Sequence, residues 1–322
     1  RQAEPSEFAC TESRDDRLLP PEDCDYWIEA IALPDAWEIT TGNSAEPVVG
    51  IVDTPILPTA AAHFTGKTVQ IVGPPNQSYP NHGTQVAGFA AAPGDDGSLG
   101  AGVAWENPIY NRAAFQFTPG VEESIVQVIT QSGAKVINVS IGANTRASFC
   151  DPADLLCVSS NEATEERYLQ AKRNFRESVS DAVLYAQEEG VLLVFSGGND
   201  GSGHGRGFTV KADNTYLDAH LRDEYESAWE TNTLLVAATE PAQPSIPATA
   251  YATTDFSGEG SIIEIAAPGR DVGAAGSTSE EIQANSGTSF SAPMVTGAAA
   301  LLWSVDPALT PAEVKALLIG GA

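Results

Sequence analysis

Three polar residues of this sequence have the types that nucleophilic catalysis requires, although they lie far apart along the chain. Asp53 directly follows a short apolar run, His82 begins a His-Gly-Thr segment, and Ser289 ends a Ser-Gly-Thr-Ser segment. A serine hydroxyl is a weak nucleophile until a base takes its proton, and a histidine base needs a carboxylate that orients it and stabilises its cation. We therefore expect Ser289 to attack, His82 to accept the proton and Asp53 to support His82.

The residues around these positions suit the same chemistry. His82 starts a run of small residues, in which Gly83 and Gly88 allow neighbouring elements to pack closely. Ser289 precedes an apolar stretch over 294–303 that has the composition of a buried helix. At or near the N-terminus of that helix, Ser289 would be surrounded by backbone N–H groups, which favour developing negative charge.

Strands and helices alternate from residue 46 onward. Short apolar runs predict buried strands, and apolar residues at helical spacing predict helices. This alternation is typical of an α/β fold, so we expect a single domain with a mostly parallel central β-sheet and helices on both faces. The predicted strands lie at 48–52, 136–139 and 191–195, and the predicted helices lie at 119–133, at 168–186 with a stop at Gly190, and after the capping box at 310–313.

Polar residues follow three of these strands, at the place where open α/β sheets bind their ligands. Asp53 follows the first strand, a Ser-Ile-Gly stretch at 140–142 follows the second, and a Gly-Gly-Asn turn at 197–199 comes soon after the third. Because the carboxyl ends of parallel strands meet at one edge of a sheet, we expect these groups to converge. That edge is the predicted site.

The sequence resembles the subtilases, which are subtilisin-like serine peptidases. The matching segments run in the family's order and cover roughly residues 26–322. They are Ile51–Thr54, His82–Gly88, Ser140–Gly142, Gly197–Asn199, Ala266–Gly269 and Gly287–Pro293. The resemblance implies a subtilisin-like fold and an endopeptidase that hydrolyses peptide bonds through an acyl-enzyme.

The resemblance also implies a role for each residue of the site. Asp53, His82 and Ser289 would be the catalytic triad, and Asn199 would be the side-chain donor of the oxyanion hole, with the Ser289 backbone N–H as the second donor. The Ser-Ile-Gly stretch at 140–142 would be a wall of the cleft that pairs with the substrate backbone near the S1 pocket. The substrate-binding residues implied in this way are Ser140, Ile141, Gly142, Gly197 and Gly198.

Several positions depart from the family pattern. Pro55 stands where the family usually has glycine, Gln85 where a second histidine is common, and Phe290 where methionine is frequent. Two segments, 142–190 and 200–228, are longer than in compact members of the family. They flank the S1 wall and the oxyanion turn, so we expect them to reshape the cleft.

The resemblance implies no cofactor for the chemistry itself, but it raises the question of a structural calcium ion. The acidic ligand that usually follows the catalytic acid is absent from residues 57–62. Asp95 and Asp96 fall where the calcium loop of the family can lie. A structural calcium ion at these two residues therefore remains an open alternative.

Composition excludes two classes of partner. The chain has 16 Lys and Arg against 43 Asp and Glu, a formal charge of −27, which repels nucleic-acid phosphates. No apolar run approaches the ~18 residues of a membrane span. The acid excess fits either an acidic secreted protein or adaptation to high salt.

We expect a monomer that binds a polypeptide substrate. The resemblance also implies an N-terminal propeptide that is present before maturation.

The four cysteines indicate the compartment. Their spacing does not suit a zinc site, and the economical pairing is Cys10–Cys24 and Cys150–Cys157, with free thiols as the alternative. Disulfides form in oxidising compartments, so this pairing predicts a secreted protein, extracellular or periplasmic.

The chain divides into two unequal parts. Residues 1–26 are acidic and lack periodicity, which predicts an N-terminal arm that its disulfide would hold, and residues 27–322 form the predicted peptidase domain. The helix over 311–319 lies close to the last residue, sooner than family members usually end. Removal of a C-terminal segment or domain is therefore an open alternative.

Other functions are less consistent with these motifs. A dinucleotide-binding protein is disfavoured because the Gly-rich stretch 197–207 does not match G-x-G-x-x-G and there is no Walker A lysine. A sedolisin-type peptidase would have Glu and Asp in place of His82 and Asn199. Two alternatives share every motif and stay open: a processing subtilase with one natural precursor, and an inactive subtilase scaffold that only binds.

Overall fold

A sheet of short, apolar strands lies at the centre of the protein. The computed structural model describes residues 25–73, 81–94, 100–114, 120–141, 174, 177–199, 223–242, 250–258, 262–275 and 282–322. Its strands are β1 (Val49–Asp53), β2 (Val69–Val72), β3 (Ile109–Ala113), β4 (Val136–Val139), β5 (Leu192–Ser196), β6 (Thr233–Pro241), β7 (Tyr251–Thr253), β8 (Ile265–Pro268), β9 (Val272–Ala275) and β10 (Ile282–Asn285).

The strand order is β2-β3-β1-β4-β5-β6-β7, and β8 also pairs with β6. All of these pairs are parallel except β6 with β7. Strand β1, which carries Asp53, is therefore interior, with β3 and β4 as its neighbours. Strands β9 and β10 form a separate antiparallel pair. The prediction of a mostly parallel central sheet is confirmed.

Helices cover both faces of this sheet. They are α1 (Trp27–Ala30), α2 (Leu33–Ile39), α3 (His82–Ala91), α4 (Val121–Ser132), α5 (177–188), α6 (Asp223–Asn232), α7 (Thr288–Val305) and α8 (Pro311–Gly321), and a 3₁₀ helix covers Pro58–Phe64. Within the described ranges, no helix combines the length and the apolarity that spanning a bilayer requires.

The two faces have separate apolar cores. On one face, Phe89 of α3 and Met294 and Trp303 of α7 pack with strand residues such as Ile51. On the other face, α4, α5 and α6 contribute the buried residues, including Ile125. Burial of these side chains removes apolar surface from water, which stabilises the fold. The expected helices on both faces are confirmed.

Helices α3 and α7 approach each other closely, which matters because α3 begins at His82 and Ser289 is the second residue of α7. A Cβ on Gly297 of α7 would lie 2.6 Å from the Ala90 carbonyl oxygen of α3. Only glycine permits that approach. The starts of the two helices are also close, since the ring centroids of His82 and Phe290 are 5.6 Å apart.

Of the predicted elements, the strand at 136–139 has the bounds of β4, whereas the strands predicted at 48–52 and 191–195 and the helix predicted at 119–133 differ from β1, β5 and α4 by one or two residues at their ends. The Thr310 side chain and Glu313 form the expected capping box, and Gly190 has φ +70° just after α5. The strand predicted at 191–195 begins one residue later, because the Val191 N–H donates to the Ala186 carbonyl and still belongs to the helix end. The beginning of the helix predicted at 168–186 lies outside the described residues.

Candidate active site

The carboxylate of Asp53 and the imidazole of His82 form a buried pair. Asp53 is the last residue of β1 and is fully buried, whereas the His82 side chain, at the first position of α3, remains 24% exposed. His82 Nδ1 donates to Asp53 Oδ1 at 2.6 Å, and the Thr54 N–H donates to the same oxygen at 2.7 Å. With Nδ1 engaged in this way, Nε2 is left as the nitrogen that can accept a proton.

The loop after β1 is held against the start of α3. The Gly83 N–H donates to Thr54 Oγ1 at 2.7 Å, and a Cβ on Gly83 would lie 1.8 Å from the Thr54 carbonyl oxygen. The buried Asn111 side chain donates to the carbonyls of Ile51 and Thr54. These bonds fix the distance between Asp53 and His82. Asn111 was not identified from the sequence, because its strand, Ile109–Ala113, is not among the strands that the apolar runs predicted.

Ser289 lies at the second position of α7, next to the end of β4. Its hydroxyl donates to the Ser140 carbonyl oxygen at 3.4 Å, and the Ser140 hydroxyl donates to the Ser289 carbonyl oxygen at 3.0 Å. Among the described residues, the acceptor of the Ser289 hydroxyl is thus Ser140 rather than His82. The starts of α7 and α3 are nevertheless adjacent, as the distance of 5.6 Å between the ring centroids of Phe290 and His82 shows.

The side chain of Asn199 reaches the same helix N-terminus. Its Oδ1 accepts from the Thr288 N–H at 2.8 Å and from the Thr288 hydroxyl at 2.9 Å. Because Oδ1 is engaged, the amide is oriented and its Nδ2 is the group left to donate. Gly198 has φ +94°, and its N–H donates to Thr288 Oγ1 at 3.1 Å. The role of Thr288 in orienting Asn199 was missed in the sequence.

Comparison with known proteins decides the family. A model of the subtilase family matches residues 44–322. This chain belongs to the subtilase family. Subtilases are serine endopeptidases.

The similarity extends over most of this chain. The thermophilic serine proteinase of Bacillus sp. (strain AK1) is 27% identical over 278 residues, which cover 84% of this chain but only 55% of that protein. Thermitase of Thermoactinomyces vulgaris is 27% identical over 290 residues, covering 87% of this chain and 82% of thermitase. The solved structure of sphericase has 24% identity and a TM-score of 0.58, covering 92% of this chain and 89% of that chain.

One departure from the usual subtilase pattern lies beside the buried pair. Pro55 occupies the position that is usually glycine, and it has no backbone N–H to donate. The second oxygen of Asp53, Oδ2, is buried and has no hydrogen-bond partner within the described part of the chain. Both donors of the carboxylate, His82 and Thr54, therefore converge on Oδ1.

A second departure lies on the other side of the imidazole. The Phe290 ring contacts the rings of both His82 and Phe89, and Phe89 in turn contacts Trp27, with centroid distances of 5.6, 5.7 and 5.4 Å. Tilted and edge-on contacts of this kind are favourable between aromatic rings. The imidazole thus packs against a row of aromatic side chains that leads into the core of this subtilase.

The pKa of His82 follows from these surroundings. Burial alone lowers the pKa of the imidazole. The charge of Asp53 and its hydrogen bond together raise the pKa by more than burial lowers it, so that the pKa lies above its usual value of 6.5.

We expect kcat/KM to rise with pH as His82 loses its proton, with the midpoint of the rise above 6.5, because only the neutral imidazole can accept from Ser289. Steady-state rates between about pH 5 and pH 9 test this. A flat profile, with chemistry shown to be rate-limiting, would contradict a histidine base.

Substitution of Asn199 tests its amide as a hydrogen-bond donor. Asn199→Ala should lower kcat by roughly 10²–10³-fold with little change in KM, because the amide would bind charge that exists only in the transition state. Asn199→Asp is the matched control, since it keeps an acceptor for Thr288 but has no N–H. A loss in Asn199→Asp that equals or exceeds the loss in Asn199→Ala supports the donor role, because the carboxylate also repels the developing negative charge. A loss in KM alone would assign Asn199 to substrate binding.

The remaining predicted residues are only partly described. Ser140 and Ile141 follow β4, and Gly197 and Gly198 follow β5, as expected. Within the described ranges, no group of three His, Cys, Asp or Glu side chains could hold a metal ion. The residues outside those ranges are Gly142, Asp95, Asp96 and all four cysteines, Cys10, Cys24, Cys150 and Cys157. The calcium alternative and the disulfide pairing therefore stay predictions, as does the N-terminal arm.

Proposed function

We propose that this protein is a serine endopeptidase that cleaves polypeptides with Asp53, His82 and Ser289 as its triad. The observation that carries the proposal is the buried carboxylate–imidazole pair, held at 2.6 Å beside the N-terminus of α7. A buried acid bonded to a partly exposed histidine is the arrangement that raises the basicity of an imidazole facing a cleft. The second position of the adjacent helix supplies the hydroxyl.

The mechanism proceeds in two acyl-transfer steps. Ser289 Oγ attacks the scissile carbonyl while His82 Nε2 takes its proton, and Asp53 stabilises the imidazolium. The imidazolium then gives that proton to the leaving amine as the carbon–nitrogen bond breaks. Water attacks the acyl-enzyme in the same way, with His82 as the base, and releases the acid product and Ser289. All proton transfers are assigned to side chains, so the proposed chemistry requires no cofactor.

The oxyanion of each tetrahedral intermediate would accept from Asn199 Nδ2 and from the Ser289 backbone N–H. The orientation of the Asn199 amide by Thr288 supports the first donor, and the position of Ser289 in the first turn of α7 supports the second. Donors that are already oriented need no rearrangement when the negative charge develops.

Before attack, the Ser289 hydroxyl has to exchange its acceptor. It bonds to the Ser140 carbonyl, which belongs to the wall proposed to pair with the substrate backbone. A substrate N–H that bonds to this carbonyl competes with the hydroxyl and leaves it free to turn to His82. Apo geometries of catalytic groups are commonly looser than those of the reacting complex.

A serine-directed fluorophosphonate tests the proposal directly. The reagent should label the protein at Ser289 and inhibit peptide hydrolysis in proportion to labelling, because only an activated serine attacks it. Peptide mapping locates the label. Labelling at another serine would assign the nucleophile to that residue instead, and a protein that neither reacts nor hydrolyses peptides would leave the binding scaffold as the better account.

The natural substrate decides between general protein degradation and precursor processing. General degradation predicts cleavage of many sequences in a peptide library, and precursor processing predicts cleavage at one narrow motif.

We also propose a secreted protein that matures from a propeptide-bearing precursor, with the predicted cysteine pairing and family membership as support.

A further inference from the structure

A proline inside α7 leaves the carbonyl of the proposed nucleophile without its helical partner. In an α-helix, each carbonyl accepts from the N–H four residues later. The group four residues after Ser289 is Pro293, which lies inside α7 and has no N–H. Ser289 is only 9% exposed, so its carbonyl needs a donor from within the protein.

The side chain of Ser140 provides that donor. Its hydroxyl donates to the Ser289 carbonyl oxygen at 3.0 Å, across a sequence separation of 149 residues. Ser140 directly follows β4, so the bond joins the carboxyl edge of the sheet to the first turn of α7. It replaces the helical bond that Pro293 removes.

A buried relay orients the Ser140 hydroxyl. Asn138 Nδ2 donates to Ser140 Oγ at 2.8 Å, which leaves the Ser140 proton for the Ser289 carbonyl. The Thr296 hydroxyl lies 3.3 Å from Asn138 Oδ1 and 3.0 Å from the Ala292 carbonyl, within bonding distance of both acceptors. Asn138 and Thr296 are fully buried. In a site without competing water, such a chain has one consistent set of donors and acceptors.

We propose that the Ser140 side chain is a positioning residue for the nucleophile, acting on the carbonyl that Pro293 leaves free. This inference rests on the proposed function. The bond fixes the peptide plane between Ser289 and Phe290. It thereby fixes the directions of the Ser289 side chain and of the Phe290 ring, which contacts His82. It is separate from the role proposed for the Ser140 backbone carbonyl, which faces the substrate and is unchanged when the side chain is truncated.

Ser140→Ala should lower kcat by about 10- to 100-fold and change KM by less than about 3-fold. The nucleophile loses its fixed direction, and a displacement of about 1 Å at a reacting atom costs on the order of 10²-fold. Ser140→Thr keeps the hydroxyl and should retain most of the rate. Ser291→Ala is the matched control, because its buried hydroxyl donates to the Pro268 carbonyl instead of to Ser289, so it should leave kcat nearly unchanged.

A double-mutant cycle with Pro293→Ala is the decisive experiment. Alanine restores an N–H that can donate to the Ser289 carbonyl, so Ser140→Ala should cost much less in the Pro293→Ala background than in the wild type. Rates are normalised to the fraction of protein that a fluorophosphonate labels, and melting temperatures are measured for all four proteins.

The outcomes separate this inference from the proposed function. Equal costs of Ser140→Ala in both backgrounds, or a loss confined to KM, would overturn the positioning role. A wild type without peptidase activity would overturn the proposed function, and the melting temperatures would then still report whether Ser140 and Pro293 are coupled. If Pro293→Ala does not fold, the contrast between Ser140→Ala and Ser140→Thr decides, and equal kcat values in these two variants would count against the inference.

Discussion

Ser289→Ala should leave the protein folded and lower kcat for peptide hydrolysis by roughly 10⁶-fold. The loss is this large because the variant has no atom that can form the acyl-enzyme, and the base and the oxyanion donors then act on bound water alone. A melting temperature close to that of the wild type would show that the fold is intact. The same variant should not react with a fluorophosphonate.

Ser286→Ala is a suitable control for this substitution. Ser286 lies three residues before Ser289, is exposed, and bonds to Asp271 rather than to any group of the proposed triad. Its truncation should leave labelling and hydrolysis near wild-type levels. Normal turnover by Ser289→Ala, measured on protein purified away from any other peptidase, would remove Ser289 from the mechanism.

Asp53→Asn should lower kcat by about 10⁴-fold at neutral pH while the geometry of the site is preserved. An asparagine amide turned to donate its N–H to His82 Nδ1 holds the imidazole in the tautomer that carries its proton on Nε2. That tautomer cannot accept from Ser289, and the neutral amide does not stabilise an imidazolium. The measurement is kcat with a peptide substrate, alongside the melting temperature.

Asp271→Asn provides a matched comparison for this second substitution. Asp271 is also a buried aspartate, and its φ of +51° suits asparagine. It interacts with Ser286 rather than with His82. We expect a change of a few-fold at most in the rate of Asp271→Asn. Similar losses in the two variants would mean that removal of a buried charge, and not the tautomer of His82, limits the enzyme.

The positions of the three proposed catalytic residues could be predicted because each depends on a local pattern. Asp53 ends an apolar run, His82 starts a run of small residues, and Ser289 precedes an apolar stretch that becomes α7. In each case the signal lies within about ten residues of the side chain. The family's motifs in the sequence also pointed to Asn199.

The hydrogen bonds among these groups could not be predicted in the same way. Ser140 and Ser289 are 149 residues apart, and Thr288 and Asn199 are 89 residues apart, so both contacts depend on how α7 packs on the sheet. The sequence does show polar residues inside apolar strands, at Asn138 for example, but it does not show which carbonyl or hydroxyl each one reaches.

The ring of Phe290 affects how this site would tolerate oxidants. Oxidants convert a methionine thioether to a polar sulfoxide, which disrupts apolar packing. Here an aromatic ring occupies the position next to Ser289, and the single methionine of the chain, Met294, is fully buried. Peroxide therefore finds no exposed thioether beside the nucleophile. The contact between Phe290 and His82 therefore contains no sulfur atom that peroxide could oxidise.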